Sequence, residues 1–349
     1  MGKFLVTAGP VFAKLDDNKI FTNRARGLWA KSFHNHLKSL GHEVVLAENL
    51  DIESYKNFVL NQVPTLNGAV MAAAVINYMP EVIFNGKMPT DLDHVNVKLV
   101  RTPYVIDEIR KINPKLCVIG CKLTSQETPE STIEKAQHLI ERSRASAVVA
   151  NDLSNLKTKF LVFPDGAVLT FENAFDQLFN ALTEILTDVH FTTIQGVLHR
   201  NPNFESEILI NKFLDKFRHR FLKNNKVFGS IAIRVPTQPN FFLMTPRKKT
   251  IDILSSNCVL VHVNHQKRTI YTDTGKATMN APLLASVLSE HPNAIAALHL
   301  HEFLPNVNTL PYAPPGTLRD TFRNTSPPFN IASHGFIAFL DQSGNILGI

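Results

Sequence analysis

The sequence predicts two α/β folds in succession: a doubly wound, Rossmann-like parallel sheet over residues 1–190, and a three-layer αβα domain with a mainly antiparallel sheet over residues 191–349. Three observations carry this reading. In the first half, short continuous apolar runs alternate with longer amphipathic stretches. In the second half, β-rich runs follow one another with little helix between them. Between the halves, "VHFTTIQGVLHRNPNFES", residues 189 to 206, is rich in loop-forming residues and interrupts both patterns. A chain of 349 residues is long enough for two domains with separate cores.

The elements follow in order. "KFLVTAGP", "HEVVLAEN", "NGAVMAAAV", "KLCVIGCKL", "ASAVVAND" and "KFLVFP" are apolar runs of strand length. "RGLWAKSFHNHLKSLG", "PYVIDEIRKIN" and "PESTIEKAQHLIERSR" lie between several of them and space their apolar residues as helices do. Strands that are apolar along their whole length need cover on both faces, and crossover helices supply it. "FENAFDQLFNALTEILTD" closes the first domain with a helix. After the boundary comes one amphipathic helix, "EILINKFLDKFRHRFLKNN", and then "FGSIAIRV", "NFFLMTP", "CVLVHVN", "RTIYTD", "AIAALHLHEF" and "GFIAFLD". With a further helix at about 280 to 290, this succession predicts a sheet of neighbouring strands.

Composition narrows the function. The formal net charge is +6 and the pI about 9.1, but the basic residues are scattered, and the densest cluster, "PRKK" at 246 to 249, is short. That distribution points to anionic small molecules and away from nucleic acid. No stretch approaches the roughly 20 apolar residues of a membrane span, and "MGKFLVTAGP" runs into a strand pattern instead of a signal peptide. A soluble cytoplasmic protein is expected. Cys117, Cys121 and Cys258 form no disulfide framework. Cys117 and Cys121, four apart on one strand, stand roughly 13 Å apart and cannot bridge.

Gly9, just after the first strand in "LVTAGP", lets backbone amides approach a phosphate at the carboxyl end of the sheet, although an ordinary strand-ending turn explains it equally well. Lys19, Asn23, Arg24 and Arg26 then crowd a loop that opens a helix, whose N-terminus favours anions. In order, "TAGPVFAKLDDNKIFTNRARG", "AAVIN", "KMPT", "GCKLTS" and "VVANDL" resemble the motifs of the phosphopantothenate-cysteine ligase family. The resemblance implies activation of the carboxylate of 4′-phosphopantothenate by CTP or ATP with Mg²⁺, release of pyrophosphate, and amide formation with cysteine. It also implies catalytic roles for Asn23 and Lys87, the latter on a mobile loop, and substrate or nucleotide contacts from Gly9, Lys19, Arg26, Asn77 and Asn151. Asn77 stands where the family has an acid, Cys121 where it has an aromatic, Thr124 where it has a glutamate, and Ala25 and Arg26 where it has serines. These departures imply an altered nucleotide site or a lost reaction.

His299 and His301 in "IAALHLHEF" are two apart, so on a strand they share a face while Leu298 and Leu300 face the other way. That spacing suits two ligands to one metal, and a solvated strand face equally. "FGSIAIR", "MTPRK", "KATMN", a helix, "HLH", "LPYAPPGT" and "ASHGFIAF" together resemble the class II aldolase and adducin family. By that resemblance His299, His301 and His334 bind Zn²⁺ or another divalent metal in a domain shortened at its C-terminus. The family's general base falls on Asn280, which cannot titrate, and its phosphate-binding positions on Ser230, Arg247 and Lys248. Two other functions therefore stand beside the ligase: a metal-dependent aldolase or epimerase acting on a small phosphorylated sugar, or a non-catalytic binding or oligomerising protein. Both families imply a homo-oligomer whose other partners are small molecules.

Overall fold

The computed structural model describes every residue except 1, 90, 92, 115, 189, 201–203, 224–225, 239, 248, 251, 253–254, 324 and 349. The chain forms two compact units, Met1–Thr187 and Asp188–Ile349. No helix among the described residues is long and apolar enough to cross a membrane.

The first unit is built on β1 (Lys3–Thr7), β2 (Glu43–Ala47), β3 (Gly68–Met71), β4 (Cys117–Thr124), β5 (Ala147–Asp152), β6 (Asn155–Val162) and β7 (Val168–Glu172), arranged β7-β6-β5-β4-β3-β1-β2. The five strands from β5 to β2 are parallel. β3 and β5 are buried along their whole length, as the apolar run of β3 and the AVVA start of β5 require, and β5 ends on the buried polar pair Asn151 and Asp152. Successive crossovers leave β1 in opposite directions, toward β2 and then back to β3, so a crevice opens between the carboxyl ends of β1 and β3.

Helices cover both faces. α2 (Ile52–Gln62) and α3 (Val105–Ile112) pack Tyr55, Val59, Val105 and Ile109 onto Leu5, Ala69 and Val118. α4 (Pro129–Ser143) lays Ala136 and Ile140 on Val148, Ala150 and Val162. α1 (Leu28–Ser39) and α5 (Phe175–Thr187) meet through Phe33 and Phe179, whose ring centroids are 5.3 Å apart. Leu186 of α5 presses on Gly68, which alternates along β3 with Ala69 of the opposite face; a Cβ at Gly68 would lie 2.7 Å from it. The sheet departs from the all-parallel reading at β6 and β7, which run antiparallel. The reason is distance: β5 ends at Asp152 and β6 starts at Asn155, too short a link for the dozen or more residues of a parallel crossover.

The second unit holds a nine-stranded sheet of β8 (Thr192–Ile194), β9 (Ser230–Arg234), β10 (Phe241–Met244), β11 (Val259–Asn264), β12 (Thr269–Thr272), β13 (Ala296–Leu300), β14 (Thr309–Leu310), β15 (Phe329–Ile331) and β16 (Gly335–Leu340). The order is β8-β12-β11-β10-β9-β13-β16-β15-β14, antiparallel except where the short edge strands β8 and β14 join. β8 lies inside the stretch expected to be loop, where "TTI" adds three residues to the sheet edge. Side chains alternate between two cores. Ala232, Ala297, Ile337 and Phe339 face α7 (Ala281–Glu290). Ile231, Ile233, Leu298, Leu300 and Phe336 face α6 (Phe204–Phe217). That gives three layers, helix on sheet on helix, and puts His299, in phase with Ala297, on the α7 face.

Candidate functional site

In the first unit Gly9 and Asn23 meet at the β1–β3 crevice. Thr7 ends β1, and its hydroxyl accepts the amide of Ala73 at 2.9 Å, holding the two strand ends together. Gly9 follows with φ +72°, a conformation that glycine adopts without strain. Its carbonyl accepts the Ala74 amide at 2.9 Å. The Asn23 side chain closes the ring: Nδ2 donates to the Ala74 carbonyl at 2.5 Å, and Oδ1 accepts the Ala25 amide at 3.0 Å. Gly27 then starts α1 in direct contact with Gly9, because a Cβ at Gly27 would lie 2.2 Å from the Gly9 nitrogen. α2 and α4 are capped by the side chains of Asp51 and Thr128, whereas α1 has no side-chain cap and no acid in its first turn. Its free amide groups adjoin the glycine loop, an arrangement that attracts anions.

Lys19 and the segment that carries Lys87 are joined through a residue that sequence reasoning missed. Asp16, 2% exposed, accepts the Met88 amide at 2.9 Å and the Lys19 ammonium at 3.1 Å on the same oxygen. The Met88 bond, with others from Asn18 and Lys19, holds the Asp16 carboxyl well below the usual carboxylate range. Asp17 also donates its amide to the Gly86 carbonyl at 3.2 Å, so the segment carrying Lys87 is tied to the 15–19 turn while Lys87 itself is exposed. Arg26 is exposed as well.

Beside this cluster a cleft of about 420 Å³ lies over the ends of β3 and β4. Asn77, Cys121, Tyr55 and Tyr104 line it, with Lys135 and Arg142 from α4. Arg142 stacks on the Tyr104 ring at 3.9 Å and pairs with Asp107 at 3.3 Å. Burial pushes the Cys121 thiol up to about 12, so Cys121 itself offers the cleft neither a charge nor a ring. Asn151, buried on β5, does not line the cleft. Thr124 has a different employment: its hydroxyl reaches Thr132 at 2.8 Å and the Asp152 carboxylate at 2.7 Å.

In the second unit His299, His301 and His334 offer ligand atoms that all lie within 4.8 Å of one another. His299 sits on β13, His301 just past its end, and His334 immediately before β16. The approach depends on Gly335: a Cβ there would stand 1.9 Å from the Leu300 carbonyl oxygen. His299 Nδ1 bonds the Phe336 carbonyl at 2.9 Å. A carbonyl only accepts, so Nδ1 carries the proton and Nε2 presents its lone pair, buried and without a hydrogen-bond partner among the described residues. Leaving such an atom unmatched costs about 1–3 kcal/mol, which a cation would relieve. Burial, followed by the neighbouring His334 and His301, keeps the His299 pKa well below its ordinary value, so the ring is in the neutral form that ligation needs. Two nitrogens on a tetrahedral zinc lie about 3.4 Å apart, and side-chain rotation can close the observed spread. The donor set fits a divalent metal.

Around the triad, Ser230 and Thr278 join their hydroxyls at 2.5 Å. Asn280, 6% exposed, occupies the N-cap position of α7 without capping it, and its Oδ1 has no partner among the described residues. Lys248 lies outside the described residues.

Residues 2–177 match the family model of the DNA/pantothenate metabolism flavoprotein C-terminal domain. The chain belongs to that family. A curated relative, the coenzyme A biosynthesis bifunctional protein CoaBC of Thermococcus kodakarensis, is 27% identical over 169 residues, 43% of this chain. The chain spans only 41% of that protein's length. The DNA/pantothenate metabolism flavoprotein of Streptococcus pneumoniae is 20% identical, covering 53% of this chain and 97% of that one, with a TM-score of 0.47. An L-fuculose 1-phosphate aldolase is 14% identical over 40% of this chain and 76% of its own, with a TM-score of 0.33. The flavoprotein-domain match takes in the Gly9–Asn23 ring, the Lys87 segment and the cleft, and ends ten residues before the first unit does (187 − 177).

Proposed function

We propose that the first unit is a phosphopantothenate-cysteine ligase-like enzyme, with phosphopantothenate, cysteine and CTP or ATP as substrates and Mg²⁺ as cofactor. The observation that carries the reading is the Gly9–Asn23–Ala74 ring at the β1–β3 crevice, inside the stretch that matches the family. The reaction is then a carboxylate oxygen attacking the α-phosphorus, pyrophosphate leaving, and the cysteine amine displacing the nucleotide from the acyl carbon. Bringing a carboxylate to a triphosphate is opposed by charge. The amides of the Gly9 loop and of the uncapped α1 offset that repulsion, and Lys87 adds a positive charge where the leaving group develops. Asn23, held by Ala74 and Ala25, is the rigid member that positions the acyl group. The assay is pyrophosphate release and amide formation by the purified chain with each nucleotide. Asn23→Ala and Lys87→Ala should each lower kcat/KM at least tenfold. No product above background from folded protein, with either nucleotide, would sink the reading.

The triad favours a second function, divalent metal binding by the second unit, with Zn²⁺ as the leading candidate. A cation held by His299, His301 and His334 would supply Lewis acidity to a carbonyl or hydroxyl oxygen of a small phosphorylated sugar. Asn280 holds no exchangeable charge, so an aldolase or epimerase reaction needs its proton moved by another group. Elemental analysis after loading tests the site: a metal content unchanged by His299→Ala overturns it. Self-association into a cytoplasmic homo-oligomer goes with both readings, and light scattering measures it directly.

A further inference from the structure

The triad has a neighbour that its ligands do not include. Asp320 lies on α8 (Leu318–Thr321), a four-residue helix capped by Thr317, and is 1% exposed. One oxygen, Oδ1, accepts Arg323 Nη2 at 2.5 Å. The same arginine donates to the Pro311 carbonyl at 2.6 Å and to the Asp320 carbonyl at 2.9 Å. Those bonds clamp the 311–323 segment, and Tyr312 in that segment lies edge-on to His334 at 6.0 Å. The other oxygen, Oδ2, is buried with no hydrogen-bond partner among the described residues. It interacts electrostatically with His334 but is not among the atoms that could hold the ion.

A carboxylate held on one oxygen by arginine and buried within electrostatic reach of a histidine is costly unless its second oxygen finds a donor. A ligating histidine has the complementary need, since metal binding at one ring nitrogen fixes the proton on the other, and that N–H requires an acceptor. His299 has its acceptor in the Phe336 carbonyl. We propose that Asp320 is the corresponding acceptor for His334: with a divalent cation on the triad, Asp320 Oδ2 takes the His334 ring N–H that points away from the ion, and Arg323 holds the carboxylate in place. Asp320 is thus a positioning residue. It fixes the ring of His334 for the ion, so the affinity of the site depends on a buried ion pair outside the ligand shell. The inference rests on metal binding by the triad.

Co²⁺-loaded full-length protein tests it, because the paramagnetic ion shifts the ring N–H protons of its histidine ligands clear of all others. In wild type, two such signals should exchange slowly with water, those of His299 and His334, assigned by loss in His299→Ala and His334→Ala. Asp320→Asn keeps an acceptor for Arg323 but turns a donor toward His334. It should lose the slow His334 signal, keep that of His299, and weaken Co²⁺ binding roughly 10- to 100-fold, while Asp320→Glu should recover part of both. Binding within threefold of wild type with the His334 signal intact in Asp320→Asn overturns the proposal and leaves metal binding standing. Fewer than two slowly exchanging ring N–H signals in the wild type overturn it even if no variant folds. Failure of wild type to bind Co²⁺ removes the metal reading and this one with it.

Discussion

At the residue scale, two buried aspartates decide how the first unit responds to acid. Asp152 accepts Thr124 Oγ1, both the amide and the hydroxyl of Ser154, and the amides of Gln126 and Glu127. The Ser154 bonds lead in holding its carboxyl below the usual range, as Met88 does for Asp16. A depressed folded pKa means that the folded state binds fewer protons than the unfolded one. The stabilisation is therefore present above the ordinary value of 3.8 and is lost as pH falls below it. Thermal unfolding of the first unit between pH 2 and 5 should steepen in that window for wild type and flatten for Asp152→Asn, which should also be less stable at pH 7. Neither aspartate stood out in the sequence, and the cause is separation along the chain: Asp16 bonds an amide 72 positions away, and Asp152 one 26 positions away. Asp320 escaped notice for a different reason, because a lone Asp–Arg pair three positions apart belongs to no motif. Asn23, Lys87 and the three histidines could be nominated from the sequence because motif order carries them and each motif is local, and the structure brings the three histidines together.

At the element scale, glycines set how closely backbones approach. Gly335 combines φ +136° with a virtual Cβ 1.9 Å from the Leu300 carbonyl. Gly335→Ala should cost about 3 kcal/mol and move His334 off β13, so chemical denaturation and metal content should fall together. Gly27→Ala is the counterpart in the first unit. It drives the start of α1 away from the Gly9 nitrogen, and nucleotide affinity should fall at least tenfold by calorimetry even where the fold survives. Most strands and the helices α1, α4 and α7 could be read from period and composition. The three-residue β8 and the two-residue β14 could not, because runs that short carry no periodicity and exist only by pairing with a sheet edge. The antiparallel sense of β6 was hidden for a different reason: it depends on the length of the turn before it, which apolar patterning does not report.

At the scale of the whole molecule, each unit carries its own core and its own candidate site. Zn²⁺ at 100 times its dissociation constant should stabilise the second unit by about 2.7 kcal/mol and leave the first unmoved, giving two calorimetric transitions of which one shifts with zinc. Nucleotide should shift the other. A single transition displaced by both would show that the units unfold as one. The pairing of His299 with the Phe336 carbonyl has a last consequence for this experiment. β13 and β16 are adjacent central strands of the nine-stranded sheet, and the triad sits where one ends and the other begins. An ion there would act as a rivet between the two strands. Deuterium uptake at Leu298, Leu300 and Phe336 should therefore slow on loading far more than at β11 or β12, turning the centre of the sheet into a clock that reads whether the site is filled.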